Sequence, residues 1–525
     1  MRSKRQFNFW ADMPLELKVH IFSFLGPKEL VRASVVSRSF YKTSFDGQLW
    51  ASLDASAFYR EIPADSLTKI ILAAAPFIKD LNLRGCVQIS QTRAHLLVNA
   101  CGNLAHATLE GCRNLQPGAI NTLVTNNENL RYLNLTGLPA VNNSTCELIA
   151  QSCKQLETLQ LSWCKNVDAR GIQAVVEGCP LLRDLRAGEV KGFDDLDVAE
   201  ALFRANDLER LVLSGCSDLS DDALRTMIHG VDPEIDILTN LPIVPPRKLR
   251  HLDISRCFDL TTEGVEVIGP FVPDLEGLQI SGCSALTDAA LEPIFANTPK
   301  LTHVEMEDLH EVTNSLFSDH LAVAPCISRL EHLSISYCMG IGDAGMLPVL
   351  KKSTGLKMMD LNNTRVTDLT LAAAASTVSG RSPRTSDDTA PPRTGLHMVV
   401  YDCENVTWTG IREILFRNAQ VKFGDDGEPT YPTEIVGLKS FYGYQMTVDE
   451  HTKRVLRCDL AAAGRLERKW ADYMQANEEA GAGGAGIRRR RRRAREAQML
   501  HADEEENGLM HGRRRARSAP SCAVM

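Results

Sequence analysis

Cysteine is the residue type here with the most chemistry available to it, and its spacing is regular. Of fifteen cysteines, eight (Cys86, Cys112, Cys164, Cys216, Cys257, Cys283, Cys338 and Cys403) hold the same place in a phrase that recurs mostly every 26 residues. Clear copies are LETLQLSWCKNVD from Leu156, LERLVLSGCSDLS from Leu208, LRHLDISRCFDLT from Leu249 and LEGLQISGCSALT from Leu275. Thiolates act as nucleophiles and metal ligands, and thiols pair as disulfides. Each use makes a demand that this pattern fails. No C-x-x-C pair occurs, which excludes the usual zinc-finger or RING spacing. The opening MRSKRQFNFW has no apolar signal core, and no run reaches the 18 apolar residues of a spanning helix. A cytosolic or nuclear chain is expected, where thiols stay reduced. A reactive thiol also needs an electropositive setting. The remaining role is packing: a small side chain turned inward after a strand, its S–H meeting backbone carbonyls left free by the bend.

The phrase L-x-x-L-x-L-x-x-C-x-x-L-(T/S/D) alternates as a strand does, then passes into an amphipathic helix. Leu159 and Leu161 point to one face, and Ile172, Val175 and Val176 follow at helical spacing. The register runs Ile78, Leu104, Leu130, Leu156, Leu182, Leu208 and resumes at Leu249, Leu275, Leu301, Leu330 and Leu356, with a last copy around Cys403. Units at Leu130, Leu182 and Leu301 carry Leu138, Val190 and Leu309 in the cysteine place, as an apolar role permits. A period of this length means a solenoid, whose stacked units form a surface for holding another macromolecule. Residues 230–248 insert a Pro-rich segment. Residues 376–394 hold almost no apolar side chains and are expected as a disordered loop. Cys101, Cys153 and Cys179 mark a second register, three residues before Leu104, Leu156 and Leu182.

Together the two registers resemble the cysteine-containing class of leucine-rich repeat, over residues 78–424 in about twelve copies. The resemblance implies an α/β horseshoe, with parallel strands on its concave face and helices outside. Substrate-binding candidates on that face are Trp163, Arg186, Tyr337 and Tyr401, of types enriched in hot spots. The stretch His303, Glu305, Glu307 and Asp308 would suit a basic recognition segment.

Residues 1–9 read as a flexible arm, 10–55 as a small helical domain and 56–77 as a helical linker. In MPLELKVHIFSFLGPKELVRASVVSRSFYKTSFDGQLW, residues 13–50, Pro14 suits a first helical turn. Leu17, Ile21, Phe22 and Leu25 make one apolar stripe, and Gly26-Pro27 ends the helix. Order and spacing resemble an F-box of three helices. Met13-Pro14 stands at its Leu-Pro, residues 21–25 (IFSFL) at its I-L-x-x-L, and residues 36–40 (VSRSF) at its V-C-R-x-W. The departures, Met for Leu, Ser for Cys and Phe for Trp, roughly keep size and polarity. The resemblance implies docking on the Skp-type adaptor of a cullin-based ubiquitin ligase. Pro14, Leu17, Ile21, Leu25, Leu30, Val36 and Phe40 carry over as that surface, shared with the domain's own core.

Residues 425–478 read as a C-terminal cap and 479–525 as a disordered basic tail. Residues 487–525 hold eleven arginines against five acids, a net +6, so the body carries −14 of the −8 total. An acidic body argues against nucleic-acid binding. The ending Cys522-Ala523-Val524-Met525 resembles a C-a-a-X box, which implies farnesylation of Cys522. With the upstream arginines it implies attachment to the cytosolic face of a membrane. The same arginines also fit a nuclear localisation signal. Ser518, in RARSAP, resembles a 14-3-3 site.

No Walker loop, H-E-x-x-H or RING spacing occurs, and neither cofactor nor metal is expected. The chain resembles F-box/leucine-rich-repeat proteins, the non-catalytic substrate receptors of SCF ubiquitin ligases. The competing expectation is a leucine-rich-repeat scaffold without ligase activity.

Overall fold

The computed structural model describes residues 9–57, 59–60, 62–75, 77–381, 383–384, 391–423 and 429–479. The chain divides into two compact units, Met1–Leu301 and Thr302–Met525.

The first unit opens with helices Phe9–Asp12, Leu15–Phe22, Pro27–Ser34 and Arg38–Ser44 and a 3-10 turn Gly47–Trp50. Pro14 precedes the second helix as its N-cap, while Pro27 opens the third at N1, where a missing N–H is harmless. Glu29 accepts from the Gly26 N–H at 2.9 Å, and Ser37 caps the fourth helix by accepting from Phe40 N–H. Trp10, Phe22 and Phe40 form the centre, with ring centroids 4.6–5.5 Å apart.

The repeat begins earlier than residue 78. Ser52–Asp54 already pairs in parallel with Asp80–Asn82, so the first rung starts inside the segment expected as the helical domain. Between them runs helix Ala64–Ala74. Parallel three-residue strands follow at His106–Thr108, Tyr132–Asn134, Thr158–Gln160, Asp184–Arg186, Arg210–Val212, His251–Asp253 and Gly277–Gln279. The central residue of each is buried: Leu81, Ala107, Leu133, Leu159, Leu185, Leu211, Leu252 and Leu278. The polar residue that closes the repeat phrase caps the following helix. Asn142, Asp168 and Ser220 each accept from a backbone N–H two or three residues on.

In the second unit, His303–Glu305, His332–Ser334, Met358–Asp360 and Arg393–Val399 pair in parallel in that order. The unit at Leu301 is three residues longer than its neighbours and takes up the excess as a wide π turn, Leu316–His320, followed by a 3-10 turn. The segment expected as a loop over 376–394 is partly regular: helix Asp368–Gly380 runs into it, Pro383–Arg384 pairs antiparallel with Tyr431 and Pro432, and a strand starts at Arg393, while residues 382 and 385–390 lie outside the described residues. The ladder also passes the expected end at 424, because Glu434–Lys439 pairs in parallel with Arg393–Val399. Helices Tyr442–Leu456 and Leu460–Glu479 then close the unit, packing Trp470 against Tyr444 and Trp408. Arg412 meets the buried Glu467 carboxylate at 2.6 Å.

Candidate functional site

The repeated cysteines face inward. From Cys112 onward each S–H donates to the carbonyl of the buried residue that follows the strand one rung earlier: Cys112 to Leu83 at 2.9 Å, Cys164 to Leu135 at 3.2 Å, Cys216 to Ala187 at 3.4 Å. Cys283, Cys338 and Cys403 repeat the contact with Ile254, Met306 and Leu361. Burial pushes these thiols up, to about 12 at Cys112 and Cys216 and about 11 at Cys164 and Cys338. Thiols so protonated are poor nucleophiles and poor metal ligands. Among the described residues thirteen cysteines are buried and Cys458 is exposed, and no group of three or more His, Cys, Asp or Glu is placed to hold a metal.

The residue before each cysteine position is where the repeats display side chains. In twelve units this residue lies at positive φ, between 54° and 77°. The left-handed turn re-aims the chain from strand to loop and points the N–H at the next rung, as Trp163 N–H does toward Gly188 O at 2.9 Å. Glycine adopts that conformation freely, and Gly85, Gly111, Gly137, Gly215 and Gly282 take it. Elsewhere a side chain stands there at a cost of about 1 kcal/mol. The first unit has Trp163, Glu189 and Arg256; the second has Asp308, Tyr337, Asn363 and Asp402 and no glycine in this place. Trp163 and Tyr337 are each about half exposed, so the strain is not repaid by burial.

The sequence-derived surface candidates divide between the units. In the first, Trp163 follows the strand next to that of Arg186, whose guanidinium is held by Asp184 at 2.9 and 3.0 Å. In the second, His303 and Glu305 share a strand, with Glu307 and Asp308 just beyond it. The His303 and His332 rings meet edge-on at 5.8 Å, Glu307 accepts from Ser334 Oγ, and Asp308 meets His310 at 3.4 Å. Asp360 lies among these groups. Burial, opposed by His332 and reinforced by Glu307 and Glu305, raises its carboxyl above the ordinary range. Tyr337 N–H donates to Asn362 O, and Tyr401 N–H to Asn362 Oδ1. Glu189, Arg256, Asn363 and Asp402 were missed by sequence reading, although the column before the cysteine, with glycine alternating with larger residues, carried the signal.

The N-terminal helices hold the second candidate surface. Leu17 is 53%, Ile21 42% and Val36 67% exposed, and Pro14 is exposed too. Of the other expected surface residues, Leu30 lies in the interior and Phe40 is half-buried in the aromatic cluster. Leu30 is 2% exposed, and Phe40 is held between Trp10 and Phe22. Leu25 is half-buried. Leu15, Phe24 and Val35 join the exposed set. Their omission followed from reading one helix face, whereas this surface gathers residues from helix ends and turns.

A family model described as F-box-like matches residues 10–56, and one described as Leucine Rich repeat matches residues 246–269. The chain therefore combines an F-box-like domain with leucine-rich repeats, the architecture of the F-box/leucine-rich-repeat family. Among solved structures it is similar to the Rad7–Elc1 complex in yeast, with TM-score 0.40 and 16% identity over 71% of this chain and 92% of that one. It is also similar to an internalin (inlF) from Listeria monocytogenes, with TM-score 0.35 and 14% identity over 63% of this chain and 79% of that one. Among the described residues no helix is long and apolar enough to cross a membrane. Cys522, Ser518 and the arginine runs lie outside the described residues.

Proposed function

We propose that this chain is the substrate-recognition subunit of an SCF-type E3 ubiquitin ligase, itself without catalytic chemistry. The observation that carries the reading is the exposed apolar set Leu15, Leu17, Ile21, Phe24, Val35 and Val36 on a domain that has its own separate aromatic core. So many large apolar side chains in so short a segment mark a protein interface. The F-box-like match supports a Skp-type adaptor as the partner, with the cullin reached through it. The repeat strands and the side chains at the left-handed positions then hold the protein substrate. Keeping substrate lysines beside a charged E2 raises their effective concentration without activating any bond in this chain.

The reading extends to the tail. Farnesylation of Cys522 together with the arginine runs would tether the receptor to a membrane surface, and Ser518 phosphorylation would recruit a 14-3-3 protein. Co-purification with a Skp-type adaptor tests the central claim. The parent chain should retain the adaptor, and Leu17→Asp with Ile21→Asp should lose it. Retention by both variants would leave a non-ligase scaffold. For the tail, Cys522→Ser should shift the chain from the membrane to the soluble fraction; a variant that fractionates like the parent removes the lipid.

A further inference from the structure

Two features of the unit Met1–Leu301 lie outside this reading. The insertion between strands Arg210–Val212 and His251–Asp253 forms a finger. Ile235 and Pro242 pair antiparallel, Asp236 N–H donates to Leu241 O at 2.9 Å, and Ile243 N–H to Glu234 O at 2.7 Å. At the tip the Asp236 carboxylate accepts from Leu238 N–H at 3.0 Å and Thr239 Oγ1 at 2.8 Å, which lowers its pKa from the ordinary value. At the base, buried Arg247 donates to the Phe203 and Leu202 carbonyls at 2.6 and 3.0 Å. A loop tied at both ends in this way holds its shape, yet Ile237 is 96% and Leu238 94% exposed. Asp232, Glu234 and Asp236 flank the pair. Three acids beside the apolar tip disfavour an anionic lipid surface and favour a basic-rimmed apolar socket.

The same unit contains such a socket. A cavity of about 250 Å³ opens between the F-box-like helix Pro27–Ser34 and the first rung of the repeat. Trp50, Leu53, Leu67 and Ile70 wall it, and Lys28 and Arg32 stand among its lining residues. Its size suits branched aliphatic side chains, and its charge is opposite to that of the finger.

We propose that the Ile237–Leu238 tip docks into this cavity on a second copy of the chain, with Asp232 and Glu234 facing Lys28 and Arg32. Each such contact joins two different patches, and every copy carries both. Two copies that exchange both contacts close as a two-fold dimer, and copies that give finger and cavity to different neighbours form rings or open chains. A single finger makes a small interface, so the association is weak and depends on concentration and salt.

Sedimentation velocity of the full chain over a range of concentrations tests this. The parent should sediment faster as concentration rises, and less so in high salt. The finger variant Ile237→Asp/Leu238→Asp and the cavity variant Lys28→Glu/Arg32→Glu should each stay monomeric, with melting temperatures that show the fold intact. An equimolar mixture of the two variants can make one contact only, so it should form a 1:1 dimer and nothing larger. A parent that stays monomeric throughout, as it would if the finger serves a different protein, overturns the proposal. So do variants that associate like the parent, or a mixture that remains monomeric.

Discussion

In the helices of residues 9–50, Leu15, Leu17, Ile21, Phe24, Val35 and Val36 are each more than two-fifths exposed, whereas in the rungs that follow Leu133, Leu159, Leu185 and Leu252 are at most 2% exposed. Residue type does not separate the two groups. The difference is what covers them. Every rung is covered by the next, through the parallel register that sets Leu133 beside Leu159 and Leu159 beside Leu185. The short helical domain has already used Phe22, Leu30 and Phe40 in its core, and Leu15, Leu17, Ile21, Phe24, Val35 and Val36 stay largely exposed among the described residues. Apolar residues in the repeat therefore report on stability, and those on the helices are the ones the proposed adaptor would cover.

Mutations that move one property without the other sharpen this contrast. Leu159→Ala should lower stability by about 3 kcal/mol, through lost transfer energy plus the cavity left behind, seen as a lower denaturant midpoint. Leu17→Asp should leave that midpoint within about 0.5 kcal/mol of the parent. It should weaken adaptor binding about 100-fold in a titration. If Leu17→Asp unfolded the domain as Leu159→Ala destabilises the array, the division would fail. Cys216→Ala should cost about 1.5 kcal/mol, from the lost S–H contact with Ala187 O and a small void, without changing adaptor binding.

The pH dependence separates interior from surface in another way. Burial, aided by nearby Arg225, lowers His229 to about 4 from an ordinary 6.5. Above pH 6.5 the ring is neutral whether the chain is folded or not. Below that the unfolded chain takes up a proton that the folded chain refuses until about pH 4. Stability should thus fall by about 1 kcal/mol per pH unit as pH drops through this window. His229→Phe, placed against Phe271, should flatten the slope in melting curves taken at several pH values. The smallest effect is expected at the left-handed positions. Tyr337→Gly relieves strain but frees the unfolded chain, so stability should change by no more than about 0.5 kcal/mol. Loss of substrate contact with so little change in stability would mark Tyr337 as a display residue.

Much of this was legible beforehand because a repeat states its period many times. The inward leucines, the cysteine column and the capping residue after it could be read from one unit and checked in the others. The limits of the array were harder to place. Ser52–Asp54 and Glu434–Lys439 join the ladder without the full phrase, since a terminal strand needs only one neighbour to pair with. Of the residues expected to meet the adaptor, Leu17, Ile21 and Val36 are exposed, Leu30 is buried and Phe40 is half-buried against Trp10 and Phe22. One helix's periodicity identifies an apolar stripe without telling which of its members the neighbouring helices take.

The period, the inward set and the packing role of the thiols are written in the residues alone, because they depend on contacts repeated at a fixed spacing. Which apolar side chains find no cover emerges in the folded chain. Ile237 and Leu238 resemble in kind the buried pairs elsewhere, and their exposure follows from the hydrogen bonds of Asp236 and the anchoring of Arg247. Exposure is a property of what surrounds a residue, and for these two the surroundings are set by contacts that no spacing announces.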